Sequence, residues 1–196
     1  MANNIDITRK VKAVALDFDG VITNLNIDWN DAIRQASEIV GHDIKSLITF
    51  YENCFGTPIF QKVSNEMEKI ELSAVEKAQA APFVKDVLQK LSEKQVEAYI
   101  VSMQSLNVIK TFLDQHELAA YFKDIITRER CPGKKAQVEC IAKITGISPN
   151  QILLVDDSKR NISNCKELGV VCFYFQRKQK PKEIREAWNN ILSIIK

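Results

Sequence analysis

The stretch from Lys12 to Thr23, KAVALDFDGVIT, constrains the fold of this chain more than any other. An apolar run through Val11 and Ala13 to Leu16 stops at two aspartates, Asp17 and Asp19, followed by Gly20. A short apolar run closed by a turn signal reads as a strand buried on both faces. Such strands belong to parallel sheets covered by helices. Open sheets of that kind bind ligands in the crevice at the carboxyl ends of their strands. Two carboxylates placed there reach one small volume, which is costly unless a cation neutralises them or one holds a proton. Either they are solvated loop groups with Gly20 making the turn, or they are half of a site. The rest of the chain decides.

A length of 196 residues suits one α/β domain, or one domain with a small insertion. A formal charge of only +2 gives no global field arguing for nucleic acid or membrane. No apolar run approaches the length of a membrane span, and the N-terminal MANNIDITRK lacks the apolar centre of a signal peptide. The five cysteines (54, 131, 140, 165 and 172) are scattered and free of CxxC spacing. They read as reduced thiols of a cytoplasmic protein, not as a disulfide framework or zinc site. With two histidines, His42 and His116, a histidine-rich metal centre is disfavoured.

From about Asn26 to Ala81 the pattern is helical and contains no convincing strand. The first segment places Trp29, Ile33, Ala36 and Val40 near a 3.6 period, with Asp28 or Asn30 as N-cap and Gly41 as stop. The second puts Ile44, Leu47, Ile48, Tyr51 and Phe55 on one face. The third runs from Pro58 to about Ala80. Pro82 is expected to open the next helix. Strands follow at Val96–Val101, Asp124–Thr127, Ile152–Val155 and Val170–Phe175, separated by helices capped by Ser105, starting near Lys134, and running from Asn161 or Ser163 to Leu168. The segment RKQKPK reads as a solvated basic linker. It precedes an amphipathic helix with Ile184, Ala187, Trp188, Ile191, Leu192 and Ile195 inward. Strands alternating with helices argue a parallel sheet with helices on both faces.

Three strands therefore deliver polar groups at their carboxyl ends: Asp17 with Asp19, Ser102, and Asp156 with Asp157. Lys134 or Lys135 stands in the first helical turn after a fourth. An oxygen-only acidic cluster suits Mg²⁺, which takes a few carboxylates and keeps several waters. A hydroxyl and an ammonium beside the metal suit a phosphoryl group.

The segments DFDGVIT, VSMQS, GKK opening a helix, and VDDSKRNISNCKELGV, in that order, resemble the four motifs of the haloacid dehalogenase-like superfamily. The resemblance implies a three-layer α/β/α Rossmann-like parallel sheet core (1–23 and 82–196) with a helical cap domain (24–81) inserted after the first strand. It implies a Mg²⁺-dependent phosphatase acting on a small phosphorylated substrate through an aspartyl-phosphate, or a phosphomutase using the same residues. By this resemblance Asp17 is the nucleophile and a metal ligand. Asp19 is the general acid/base, offering its backbone carbonyl to the metal. Ser102 and Lys134 hold the phosphoryl group. Lys134 is preferred to Lys135 because Val138, Ile141 and Ala142 then fall on the buried helix face, although the loop is short and the common proline after the lysine is absent. Asp157 is the magnesium ligand, Asp156 is a ligand or its support, and Asn161 braces the loop.

Arg34, Lys45 and Lys62 are the cap cations to consider beside an acidic leaving group, each more simply read as a solvated helix charge. Trp29 and Phe55 are expected in the cap core, the histidines at the surface or at helix ends, and the cysteines buried. A receiver-like signalling domain shares the chemistry but carries its acids on different strands. A non-catalytic scaffold would not need all six polar positions. A polynucleotide-end phosphatase rests on RKQKPK alone.

Overall fold

The computed structural model describes residues 10–177 and 180–195. The N-terminal segment to Arg9 and Lys178–Gln179 of the basic linker lie outside the described residues. Five strands, β1 (Ala13–Leu16), β2 (Glu97–Val101), β3 (Phe122–Ile126), β4 (Ile152–Asp156) and β5 (Val171–Tyr174), form one sheet in the order β3-β2-β1-β4-β5. Every pairing is parallel. The opening strand is therefore the central one.

Alternation along the strands divides the core in two. Val14, Leu16, Ala98, Ile100, Leu153 and Val155 face one cluster with α4 (Val84–Glu93), α5 (Leu106–Gln115) and α8 (Pro181–Ile194). Ala13, Ala15, Tyr99, Val101, Ile152 and Leu154 face the other, with α6 (Lys134–Thr145) and α7 (Lys159–Lys166). The amphipathic C-terminal helix buries Ala187, Trp188 and Ile191 on the sheet. Covering both faces satisfies the near-continuous apolar character of β1 and β4.

Between β1 and α4 lie α1 (Trp29–Val40), α2 (Leu47–Cys54) and α3 (Pro58–Val75). Each has its cap. Asp28 accepts from the amides of Asn30 and Asp31, Ser46 from Thr49, and Thr57 from Phe60 with Pro58 in the first turn. Gly41, with φ of 82°, ends α1. The three helices close around their own cluster, which includes Ala36, Phe50, Tyr51, Phe60, Val63 and Met67. The two chain crossings into this unit are tied together: Ala81 N donates to Ile22 O at 2.8 Å, and the Thr23 hydroxyl donates to Gln79 O at 2.9 Å.

Four local expectations are corrected. The helix expected at Pro82 begins at Val84, because Phe83 takes a left-handed conformation (φ 67°) and the Pro82 carbonyl accepts from Trp188 Nε1. α7 begins at Lys159, since Ser158 is its cap and accepts from the Asn161 amide. Phe55 is not cap core: it terminates α2 and is 37% exposed, touching Phe60 by one edge. Of the cysteines, only Cys131 and Cys165 are buried; the others are half-buried. His42 is exposed, and His116 ends α5 with Nε2 3.0 Å from Ala78 O, as expected.

Candidate active site

The carboxyl ends of β1, β2 and β4 meet beneath the helical insertion. Asp17 stays in register with the sheet, its amide donating to Val155 O at 2.9 Å. Phe18 then buries its ring edge-on against Phe112, and its carbonyl accepts from the amides of Ile22 and Thr23, closing a tight loop. Gly20 adopts φ of 97°, and a Cβ there would lie 2.2 Å from Asp157 Oδ2. Only glycine lets the Asp19 loop and the Asp157 loop approach so closely.

Lys134 rather than Lys135 reaches the acids. It is 4% exposed, and its Nζ lies 2.9 Å from Asp17 Oδ1 and 3.3 Å from Asp156 Oδ2, while also donating to Val101 O. Lys135 is half-exposed and pairs with Glu167, the residue that ends α7. Asp156 is enclosed: it accepts from the Ser158 amide at 2.8 Å and from the Asn161 side chain on both oxygens. Asn161 thus braces the loop through Asp156. Asp157 instead lines the cavity above the acids. One oxygen each of Asp17, Asp156 and Asp157 lie within 4.8 Å of one another. Three carboxylates so placed, with an all-oxygen donor set, fit Mg²⁺. The Asp19 carboxylate stands outside this trio. Its Oδ1 accepts from the Leu25 amide and its Oδ2 from Arg177, both at 2.9 Å.

The electrostatics leave the acids to be offset by a proton or by a further cation. Burial pushes the Asp17 carboxyl up to about 8; Lys134 pulls it down, and Asp156 and Asp157 push it further up. Burial likewise raises Asp157 against the pull of Arg177. Lys134 is raised despite its own burial, because Asp17 and Asp156 hold its charge in place.

Ser102 is fully buried, with its amide bonded to Ile126 O. Its hydroxyl donates to Gln104 Oε1, and Gln104, not Ser102, lines the cavity.

Two arginines escaped the sequence reading. Arg177, placed in the solvated linker, has Nε 2.6 Å from Asp157 and Nη2 2.9 Å from Asp19. Arg128 is wholly buried and donates to Glu71 and Ser64 of α3 and to Met103 O. Both follow the carboxyl ends of strands, β5 and β3. The rule that found the acids, applied to all five strands, would have found them.

Above the acids lies a cavity of about 290 Å³, roofed by α1 and α2. Trp29 and Lys45 line it; Arg34 and Lys62 do not. Arg34 is spent on Asp31 and Glu38 along its own helix. No helix among the described residues is long and apolar enough to cross a membrane.

Comparison with known proteins matches residues 14–175 to the family model described as haloacid dehalogenase-like hydrolase. A probable phosphoglycolate phosphatase of Pseudomonas putida is 31% identical over 94 residues, 46% of this chain and only 38% of that relative's length. A phosphoglycolate phosphatase of Vibrio cholerae is 26% identical over 192 residues, 85% of this chain and 84% of its own. Among solved structures, a predicted phosphatase from Clostridium acetobutylicum superposes with a TM-score of 0.69 at 11% identity, covering 94% of this chain and 99% of that one. A predicted phosphoglycolate phosphatase from Haemophilus somnus gives 0.65 at 17% identity, covering 94% and 98%. These two likenesses bear on the fold.

Proposed function

Since the chain belongs to the haloacid dehalogenase-like hydrolases, we propose that it is a Mg²⁺-dependent phosphatase that cleaves a small phosphomonoester through an aspartyl-phosphate on Asp17. The observation that carries this reading is the Lys134 ammonium held between Asp17 and Asp156, beside Asp157 and under a capped cavity. Asp17, Asp157 and the Asp19 backbone carbonyl would hold the metal, with Asp156 supporting. The metal would supply positive charge that lets Asp17 ionise and screens the phosphoryl oxygens.

Asp17 Oδ1 is committed to Lys134 and to the Phe18 amide, so Oδ2 is the oxygen assigned to attack. It forms a bond to phosphorus as the ester P–O bond breaks. Asp19, protonated, gives its proton to the departing alkoxide. Water then attacks the aspartyl-phosphate, Asp19 takes its proton, and inorganic phosphate leaves with Asp17 restored. Lys134 holds phosphoryl oxygens throughout. Ser102 joins it once its hydroxyl turns from Gln104. The cap excludes water from the first step. Five free thiols fit a reducing cytoplasmic setting.

The test is phosphate release from a panel of phosphomonoesters, with phosphoglycolate first because relatives carry that name. Release should require Mg²⁺ and vanish in Asp17→Asn, while Asp19→Ala should accumulate phosphorylated Asp17. Release that persists in Asp17→Asn overturns the assignment.

A further inference from the structure

The roof of the cavity is apolar. Trp29 and Ile33 of α1, Leu47, Ile48 and Tyr51 of α2, and Met103 after β2 line it above the acids. The polar groups the cap adds are few, and one of them, the Tyr51 hydroxyl, is buried without a partner among the described residues. Ser46 is occupied in capping α2 at Thr49. Glu71 is taken by Arg128 and the Ser105 amide. Lys45 is exposed and stands without an ion pair among the described residues.

From this lining we infer that the preferred substrate is the phosphate ester of an apolar, ring-sized alcohol, not of a polyhydroxylated sugar or a small hydroxy acid. The inference rests on the phosphoryl-transfer reading above and names its substrate class. The Tyr51 hydroxyl could pair with one group, but the other hydroxyls of a sugar would meet Trp29, Ile33, Leu47, Ile48 and Met103, and each unpaired hydroxyl is penalised. An apolar alcohol would gain from the same contacts. Size agrees: a cavity of about 150 Å³ holds a benzene ring, so about 290 Å³ has room for a ring and a phosphoryl group.

Benzyl phosphate, phosphoglycolate and glucose 6-phosphate are all primary-alcohol esters, so they compare binding more than leaving-group basicity. With Mg²⁺ present, kcat/KM for benzyl phosphate should exceed the other two by about tenfold or more. Ile48→Ser should lower the ratio of benzyl phosphate to phosphoglycolate by about tenfold; Ile33→Ala serves if that variant does not fold. Calorimetry with 2-phenylethylphosphonate should show tighter binding than 3-phosphonopropionate and a negative heat-capacity change, the marker of apolar burial. If 2-phenylethylphosphonate binds in this way but no ester is hydrolysed, the phosphatase reading fails and the cavity assignment stands. If esters are hydrolysed and phosphoglycolate is preferred, the phosphatase reading stands and this inference is overturned; loss of that preference in Lys45→Ala would give the carboxylate to Lys45. Weak binding of both phosphonates also overturns it.

Discussion

Arg128 Nη1 donates to Glu71 Oε1 over 2.6 Å, with the side chains 0% and 2% exposed. The pair joins the loop after β3 to α3 of the helical insertion. The rest of the guanidinium is also satisfied: Nε bonds the Ser64 hydroxyl, Nη2 the Ser64 carbonyl, and Nη1 also Met103 O. Its Cζ lies 5.4 Å from the Tyr51 ring centroid, beneath the cavity wall. Burial raises the Glu71 carboxyl against the pull of Arg128. A charge pair sealed in this way fixes the position of the insertion over the sheet.

Breaking this pair from one side should therefore be severe. Arg128→Met or Glu71→Leu alone should cost about 3–5 kcal/mol, because each leaves the partner charge buried. The double variant should recover much of that loss. Urea denaturation reads all three; additive losses would show that the pair is not coupled.

The two adjacent lysines should behave oppositely. Lys134→Ala should lower kcat/KM by about a hundredfold or more, as loss of a buried group that stabilises charge does. Lys135→Ala, which removes only the exposed pair with Glu167, should leave it within about twofold. Steady-state kinetics on the best ester decides.

Arg177 pairs with Asp157, whose carboxylate would hold the metal, and with the carboxylate of Asp19. Arg177→Gln should tighten Mg²⁺ binding about threefold to tenfold, a range set by a charged hydrogen bond discounted for a half-exposed guanidinium. Calorimetric titration with MgCl₂ measures it. Weaker binding would instead make Arg177 a support for Asp157.

Asp17 should report on its own desolvation. Its carboxyl is raised by burial from 3.8 to about 8. Between those values the folded chain keeps a proton that the unfolded chain has lost, so this group's contribution to stability falls as pH rises. Asp17→Asn removes that dependence. Without metal, the Tm of Asp17→Asn should rise relative to wild type from about pH 4 to about pH 8 and level off above it. Adding Mg²⁺ should favour the wild type and shrink the gap. A gap independent of pH would mean that Asp17 is ionised without metal.

The local signals in the sequence reached far. The apolar run before Asp17 identified the central strand. Asp28 and Ser105 announced two helices, and apolar spacing told Lys134 from Lys135 because burying one face of α6 aims its first residue at the strand ends. Failures fall where a residue's partner is remote in sequence and where a helix begins or ends off its apolar pattern. Pro82 could not open α4 once its carbonyl was bonded by Trp188, and Phe55 lost its place in the cap core at the end of α2.

What the sequence determined by itself was the order of strands and helices, the edge on which polar groups gather, and which acids, lysine and serine stand there. Those properties follow from periodicity and from the rule that parallel strands present their carboxyl ends together. Tertiary structure alone decided that Arg177 bridges Asp19 and Asp157, that Arg128 locks α3 through Glu71, and that the cavity roof is apolar. Each of these joins residues from different elements: 158 positions separate Arg177 from Asp19 and 57 separate Arg128 from Glu71, and the roof draws on α1, α2 and the loop after β2. A charged residue read locally looks solvated, because nothing within its own helix or loop shows the opposite charge that folding brings to it.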